Sequence, residues 1–158
     1  MRSFGLNILL AIIWLLLGTQ PTAARFAVGF LAGFALITIF HGVLGSGDYV
    51  RRVISFGRFT LVFLWEFLVA NASVVRTVLF RPSATLSPNF ITYDVTGLKP
   101  FEILLLSYCI SLTPGSTTVE VSEDFNTLVL HALDAQDPDA MRAQLDRVIK
   151  DGILRFTR

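Results

Sequence analysis

The chain has 158 residues, of which 53% are hydrophobic and only 16% charged, against about 25% charge in an ordinary soluble domain. That balance excludes disorder, which needs low hydrophobicity and high charge, and argues against a wholly soluble protein; the single cysteine, Cys109, excludes an internal disulfide and a paired-cysteine metal site. The net charge of +1 conceals an asymmetry: residues 1–80 hold six Arg against Asp48 and Glu66, a balance of +4, and residues 81–158 hold seven Lys and Arg against ten Asp and Glu, a balance of −3.

The first predicted element is the apolar run Leu6–Leu17, and the second runs over about 22–44, with no acid and only Arg25 and His41 as bases between residues 3 and 47. Gly18-Thr19-Gln20-Pro21 marks a tight turn between them. Backbone groups in lipid must be satisfied within their own segment, so both runs are expected as membrane helices, over about 4–18 and 22–44. A secretory signal is the competing reading of the first run, with Arg2 as its basic end and Pro21–Ala24 as a cleavage site. Gly29 and Gly33 form a small-residue pair that lets a second helix approach closely, either as a packing groove or as a contact to a partner.

The third apolar segment, 53–80, is interrupted by Arg58, Glu66, Asn71 and Arg76. At about 100° per residue Glu66, Ala70, Ser73 and Thr77 share one stripe. A carboxylate in a membrane helix is costly and should face protein or water, so Glu66, Asn71 and Ser73, with Gly29 and Gly33, are candidate intramembrane or subunit-interface residues. The segment either spans the bilayer or lies in its interface. Three spans put Arg51 and Arg52 on one side and Arg76, Arg81 and Lys99 on the other; an interfacial segment puts all five on the same side.

Arg81-Pro82 ends this helix, and Ser83–Asn89 is a linker. Then come a strand over Phe90–Val95, a helix over Lys99–Leu112 with Pro100 in its first turn, and a turn at Thr113-Pro114-Gly115-Ser116. Thr117–Ser122 alternates with period two, placing Thr117, Val119 and Val121 on one face, and pairs with Thr127–Leu133 as a hairpin. Asp137-Pro138 starts a last helix, with Met141, Leu145, Val148 and Ile149 on its apolar face and Gly152 as its end. The fold expected is about three N-terminal transmembrane α-helices in residues 1–82 and a small α/β domain of order β-α-β-β-α in residues 83–158. Ile103–Leu106 are more apolar than packing on one sheet face requires, which suits contact with a membrane or partner.

No phosphate-binding loop, zinc-protease motif or basic-aromatic nucleic-acid pattern occurs. His41 fits a helix end, His131 a strand position and Cys109 an inert buried thiol. No catalytic residue, metal or cofactor is expected.

Three phrases carry a resemblance: Asn7–Trp14 (NILLAIIW); Glu66–Asn71 (EFLVAN) with Val75 and the exit Val78–Pro82 (VLFRP); and Ser111–Val121 (SLTPGSTTVEV) followed by Leu128–Asp134 (LVLHALD). Together they resemble the E subunit of Mrp-type (Mnh or Pha) multisubunit Na⁺/H⁺ antiporters along the whole chain. Trp65 stands where that family often has Lys, which puts in doubt any charge pair made there. The resemblance implies an accessory subunit of a plasma-membrane hetero-oligomer that exchanges Na⁺ for H⁺, with transport assigned chiefly to its large antiporter-like subunits. It implies a C-terminal domain on the cytoplasmic side, and Arg81, Pro82, Thr113, Pro114 and Gly115 as structural motif residues. A related subunit of a proton-pumping, hydrogenase-type membrane complex is the alternative.

Overall fold

The computed structural model describes residues 2–82 and 85–158. Of the expected linker, Ser83 and Ala84 lie outside the described residues. By contacts the chain forms two units, Met1–Ile54 and Ser55–Arg158. The division between these units falls within the third apolar segment.

In the first unit, α1 (Arg2–Leu16) and α2 (Ala23–Ile39) form a hairpin. Its turn is fixed at the start of α2, where the Thr22 hydroxyl accepts from the Arg25 amide at 3.2 Å and the Arg25 guanidinium donates to the Gln20 carbonyl at 3.1 Å. The glycine pair faces the chain's own first helix. A Cβ on Gly29 would lie 2.8 Å from the Trp14 side chain, and one on Gly33 would lie 2.5 Å from Asn7 Oδ1, so any larger residue forces the hairpin apart. The second run is broken where a single helix to Leu44 was expected. It ends at Phe40, turns through the short α3 (His41–Leu44) and reverses at Gly45, whose φ of +62° favours glycine.

The third segment is longer than expected: α4 runs over Gly47–Phe80, 34 residues. From Ser55 onward it belongs to the second unit. Phe59 is buried in the same core as Tyr93, Leu106, Leu128, Leu130, Ile149 and Ile153, and Phe63 packs against that core. Truncating a buried Phe typically costs about 3–5 kcal/mol, which is the scale of the contact that joins α4 to the α/β elements.

Those elements follow in the expected order: β1 (Asn89–Asp94), α5 (Pro100–Leu112), β2 (Ser116–Val121), β3 (Thr127–Ala132) and a C-terminal helical stretch. The sheet is antiparallel with β3 central, in the order β1-β3-β2. Its inner face presents Ile91, Tyr93, Leu128, Leu130 and Ala132 to the helices. The grouping expected for β2 is seen in its burial, with Thr117, Val119 and Val121 all exposed. A bulge at Val119 shifts the register between Thr118 and Glu120, and Thr118, just before it, is half-buried against α5, its amide donating to Ser111 Oγ at 3.1 Å.

The last helix starts as expected, with the Asp137 carboxylate accepting from the Ala140 amide at 2.9 Å. It does not end at Gly152. It comprises α6 (Pro138–Leu145), a π-helical turn over Asp146–Lys150 and α7 (Asp151–Thr157). A Cβ on Gly152 would lie 2.4 Å from a ring carbon of Phe59, so this glycine serves close approach to α4 rather than termination.

Glu102, in the first turn of α5, is 1% exposed yet saturated: it accepts from the Lys99 amide at 2.8 Å, from the Thr157 hydroxyl at 2.8 Å and from the Arg158 guanidinium at 2.9 Å. It thereby caps α5 and clamps the C-terminal residues. The Arg158 hydrogen bond, with help from Lys99 and Thr157, holds its carboxyl at about 2, below its ordinary 4.5, against burial, which raises it. A depressed folded-state value contributes stability above the unfolded value, and that contribution disappears as pH falls from 4.5 through about 2. Thermal melting of Glu102→Gln should show a loss of about 1.5–3 kcal/mol at neutral pH, the range for hydrogen bonds to a charged group. The gap to the unsubstituted protein should close across the same acid window.

Candidate functional site

The Glu66 stripe opens onto a groove of about 410 Å³ within the second unit. Glu66, Ala70, Ser73 and Thr77 of α4 form one wall. The turn Thr113–Ser116, the end of β3 at Ala132–Asp134, and Met141, Gln144 and Leu145 of α6 form the other. The residues that stood out separately in the sequence are thus brought to one place, although Glu66 and Thr113 are almost fifty positions apart.

Glu66 is half-buried, and its carboxylate accepts from Gln144 Nε2 at 3.4 Å. Among the described residues no basic side chain forms an ion pair with it. Ser73 and Thr77 line the groove beside it. Asn71 does not: its side chain donates to the Phe67 carbonyl at 2.7 Å, one turn back on its own helix. Gly29 and Gly33 belong to the first unit, where α1 occupies their groove.

Arg81 sits where α4 ends and pairs with Asp134 at 2.7 Å. The other carboxylate oxygen of Asp134 accepts from the Ser87 amide at 3.4 Å. The pair ties the exit of α4 to the end of β3 and the approach to β1. The Pro82 carbonyl accepts from the amide and hydroxyl of Thr85 at 2.9 and 2.8 Å.

The Thr113-Pro114-Gly115 turn has a similar structural explanation. Thr113 closes α5 through its amide and hydroxyl, both donating to the Cys109 carbonyl. Gly115 then takes φ +97°, and its carbonyl accepts from the Leu133 amide at 2.8 Å. A Cβ on Gly115 would stand 3.5 Å from Val74 of α4. The turn therefore needs glycine for its backbone conformation and carries one wall of the groove.

The remaining singled-out residues sit in structural surroundings. Cys109 is buried, and desolvation pushes its thiol up to about 11, away from reactivity. His131 pairs in register with Phe90 on the outer sheet face, ring centroids 5.1 Å apart. His41 contacts the Thr38 carbonyl at a helix end. No group of three or more His, Cys, Asp or Glu suited to a metal occurs among the described residues.

One buried polar residue was missed by the sequence reading as a site. Asn7 is fully buried between α1 and α2 and donates to the Tyr49 hydroxyl at 2.8 Å. Its Oδ1 has no conventional partner and lies against Gly33, where a weak Cα–H···O contact is the available interaction. The signal was a lone amide in the apolar run of the first helix.

Similarity to known proteins follows the whole chain. A family described as "MNHE: Na+/H+ ion antiporter subunit" matches residues 7–156. The E1 subunit of a Na⁺/H⁺ antiporter from Staphylococcus aureus is 30% identical over 150 residues, 92% of this chain and 94% of that protein. One chain in the solved Mrp complex from Dietzia sp. DQ12-45-1b is 30% identical, with a TM-score of 0.50 over 65% of this chain and 94% of its own length. A chain of the membrane-bound sulfane sulfur reductase, an archaeal respiratory membrane complex, superposes with a TM-score of 0.55 over 98% of this chain and 97% of its own. At 23% identity that second likeness is one of fold alone.

Proposed function

This chain belongs to the MNHE family of Na⁺/H⁺ ion antiporter subunits, and we propose on that premise that it is an accessory subunit of a multisubunit Na⁺/H⁺ antiporter. The observation that carries this is the extent of the match, which includes the apolar hairpin, the groove and both motif turns. Its partners are the other subunits of a membrane hetero-oligomer, as in the Mrp complex that contains its structural relative. Cation and proton movement is a property of that assembly. This chain supplies surfaces and a scaffold, and no reaction is assigned to it.

Two surfaces fit that role. The groove offers the Glu66 carboxylate among small side chains, which suits a basic residue of a neighbouring subunit. On α5, Phe101, Leu104, Tyr108 and Leu112 are all at least half exposed and recur at helical spacing along one side, an apolar stripe of the kind that a partner covers.

The α1–α2 hairpin is the proposed membrane anchor, and both of its ends are then on the same side. Arg2, Arg51 and Arg52 flank those ends and Arg25 stands alone at the turn; the positive-inside rule makes the ends cytoplasmic and the turn external. The α/β domain is accordingly cytoplasmic, at the cell membrane. The alternative, a respiratory complex, has support from fold likeness only.

Affinity purification of the tagged chain from native membranes should recover large multi-span antiporter-like subunits; its recovery as a stable monomer contradicts the reading. Glu66→Gln should lower recovery of the complex several-fold while leaving the chain itself folded. Full assembly with lost antiport would move Glu66 from the interface to the ion path, and survival of both would remove it from either role. For the topology, cysteine at Glu123, beside the Asp124 turn, should resist an impermeant thiol reagent in intact cells and react in inverted vesicles. Ready labelling from outside contradicts a cytoplasmic domain.

A further inference from the structure

Helix α4 presents two opposed faces, and among the described residues of the second unit only one of them has a partner. Phe59 and Phe63 enter the α/β core and Glu66 meets Gln144. On the opposite side Leu61, Leu64, Leu68, Val75 and Leu79 are 50–71% exposed. By length and hydropathy alone α4 is, among the described residues, the helix fit to cross a bilayer. What is packed on it argues otherwise. The helix cannot enter the hydrocarbon upright without taking along the α/β domain, whose α6 and π-helical turn carry the ion pairs Arg142–Asp139 and Lys150–Asp146 at their surface.

The flank of the helix points to the occupant. Arg58 and Arg76 are eighteen residues apart, five full turns, so they project from the same side, and Trp65 lies within about 20° of both. Both arginines are exposed, neither forms an ion pair among the described residues, and Trp65 is 66% exposed. Two cations and an indole aligned along the border of an apolar face match the headgroup level of a bilayer, where guanidinium meets lipid phosphate and indole bridges the apolar and wet layers. The same placement resolves the charge conflict of a three-span chain, because Arg51, Arg52, Arg76, Arg81 and Lys99 then share one side.

We infer that α4 from about residue 58 to 79 lies in the plane of the membrane, its Leu61–Leu79 face in the outer acyl layer, Arg58, Trp65 and Arg76 at anionic lipid headgroups, and the α/β domain on its aqueous side. This needs only that the chain is a membrane protein, and stands or falls independently of the complex it serves.

The test uses the full chain in vesicles of phosphatidylcholine and phosphatidylglycerol, with Cys109→Ala and single spin labels at Leu61→Cys, Leu68→Cys, Val75→Cys and Leu79→Cys. Leu61 and Leu79 are eighteen residues, roughly 27 Å, apart along the helix at ~1.5 Å per residue. An in-plane helix gives four shallow depths that agree within a few Å, with oxygen access exceeding that of a water-soluble nickel relaxant. Depths that change steadily along the series overturn the inference in favour of a span. Low access to both relaxants overturns it in favour of a protein-covered face. Trp65 fluorescence in the Trp14→Phe chain repeats the test without a label. Lipids brominated near the headgroup should quench it more than lipids brominated near the chain terminus, and the reverse order contradicts the in-plane placement.

Discussion

Phe59 in the core of the α/β unit is the contact on which the rest of the second unit depends. It stands against Gly152, where no side chain leaves room for its ring, and against Phe156, ring centroids 5.5 Å apart. A domain of about 75 residues has a marginal core of its own. Adding one face of a long helix enlarges that core, and it fixes α4 as a structural wall rather than a tether. The C-terminal residues close the same assembly from the other end, through the Arg158–Glu102 ion pair at 2.9 Å.

The groove follows from this arrangement. Once Phe59 and Phe63 have brought α4 against the sheet-and-helix layers, the small residues about two to four turns beyond Phe63 cannot reach the opposite wall. The space between Ala70, Ser73 and Thr77 and the Thr113–Ser116 turn stays open. Arg81–Asp134 closes its far end by pinning the exit of α4 to β3. The left-handed Gly115 keeps a backbone turn, rather than a side chain, against Val74. The motif residues hold the shape of the groove, and Glu66 supplies a charge that no basic side chain among the described residues pairs. A surface of this kind suits a subunit that joins others, where shape and one directed charge decide the partner.

Much of the second unit was legible in local sequence. The β-α-β-β-α order came from alternation in Thr117–Ser122, from Asp137-Pro138 and from the Thr113-Pro114-Gly115 turn, each a short-range signal with a backbone cause. The failures were long-range. Gly152 has the appearance of a helix end and acts as a contact, because its neighbour Phe59 is more than ninety positions away. The bulge in β2 shifts its register against β3, and nothing in Thr117–Ser122 announces it. The stripe of Glu66, Ala70, Ser73 and Thr77 was visible, but its first partner is the chain's own domain, which periodicity cannot name. In the hairpin, Gly29 and Gly33 were readable as a groove, whereas the Asn7–Tyr49 hydrogen bond required knowledge that residues forty-two apart meet.

The claim that α4 and the α/β elements share one core is tested most directly by hydrogen exchange in the reconstituted chain, comparing the unsubstituted protein with Phe59→Ala. With a shared core, the slowest amides of β3 and α5, around Leu128, Leu130, Leu106 and Ile110, should exchange faster by a common factor on the order of 100-fold or more, the equivalent of about 3–5 kcal/mol for a buried Phe. Faster exchange confined to α4, with β3 and α5 unchanged, would contradict it.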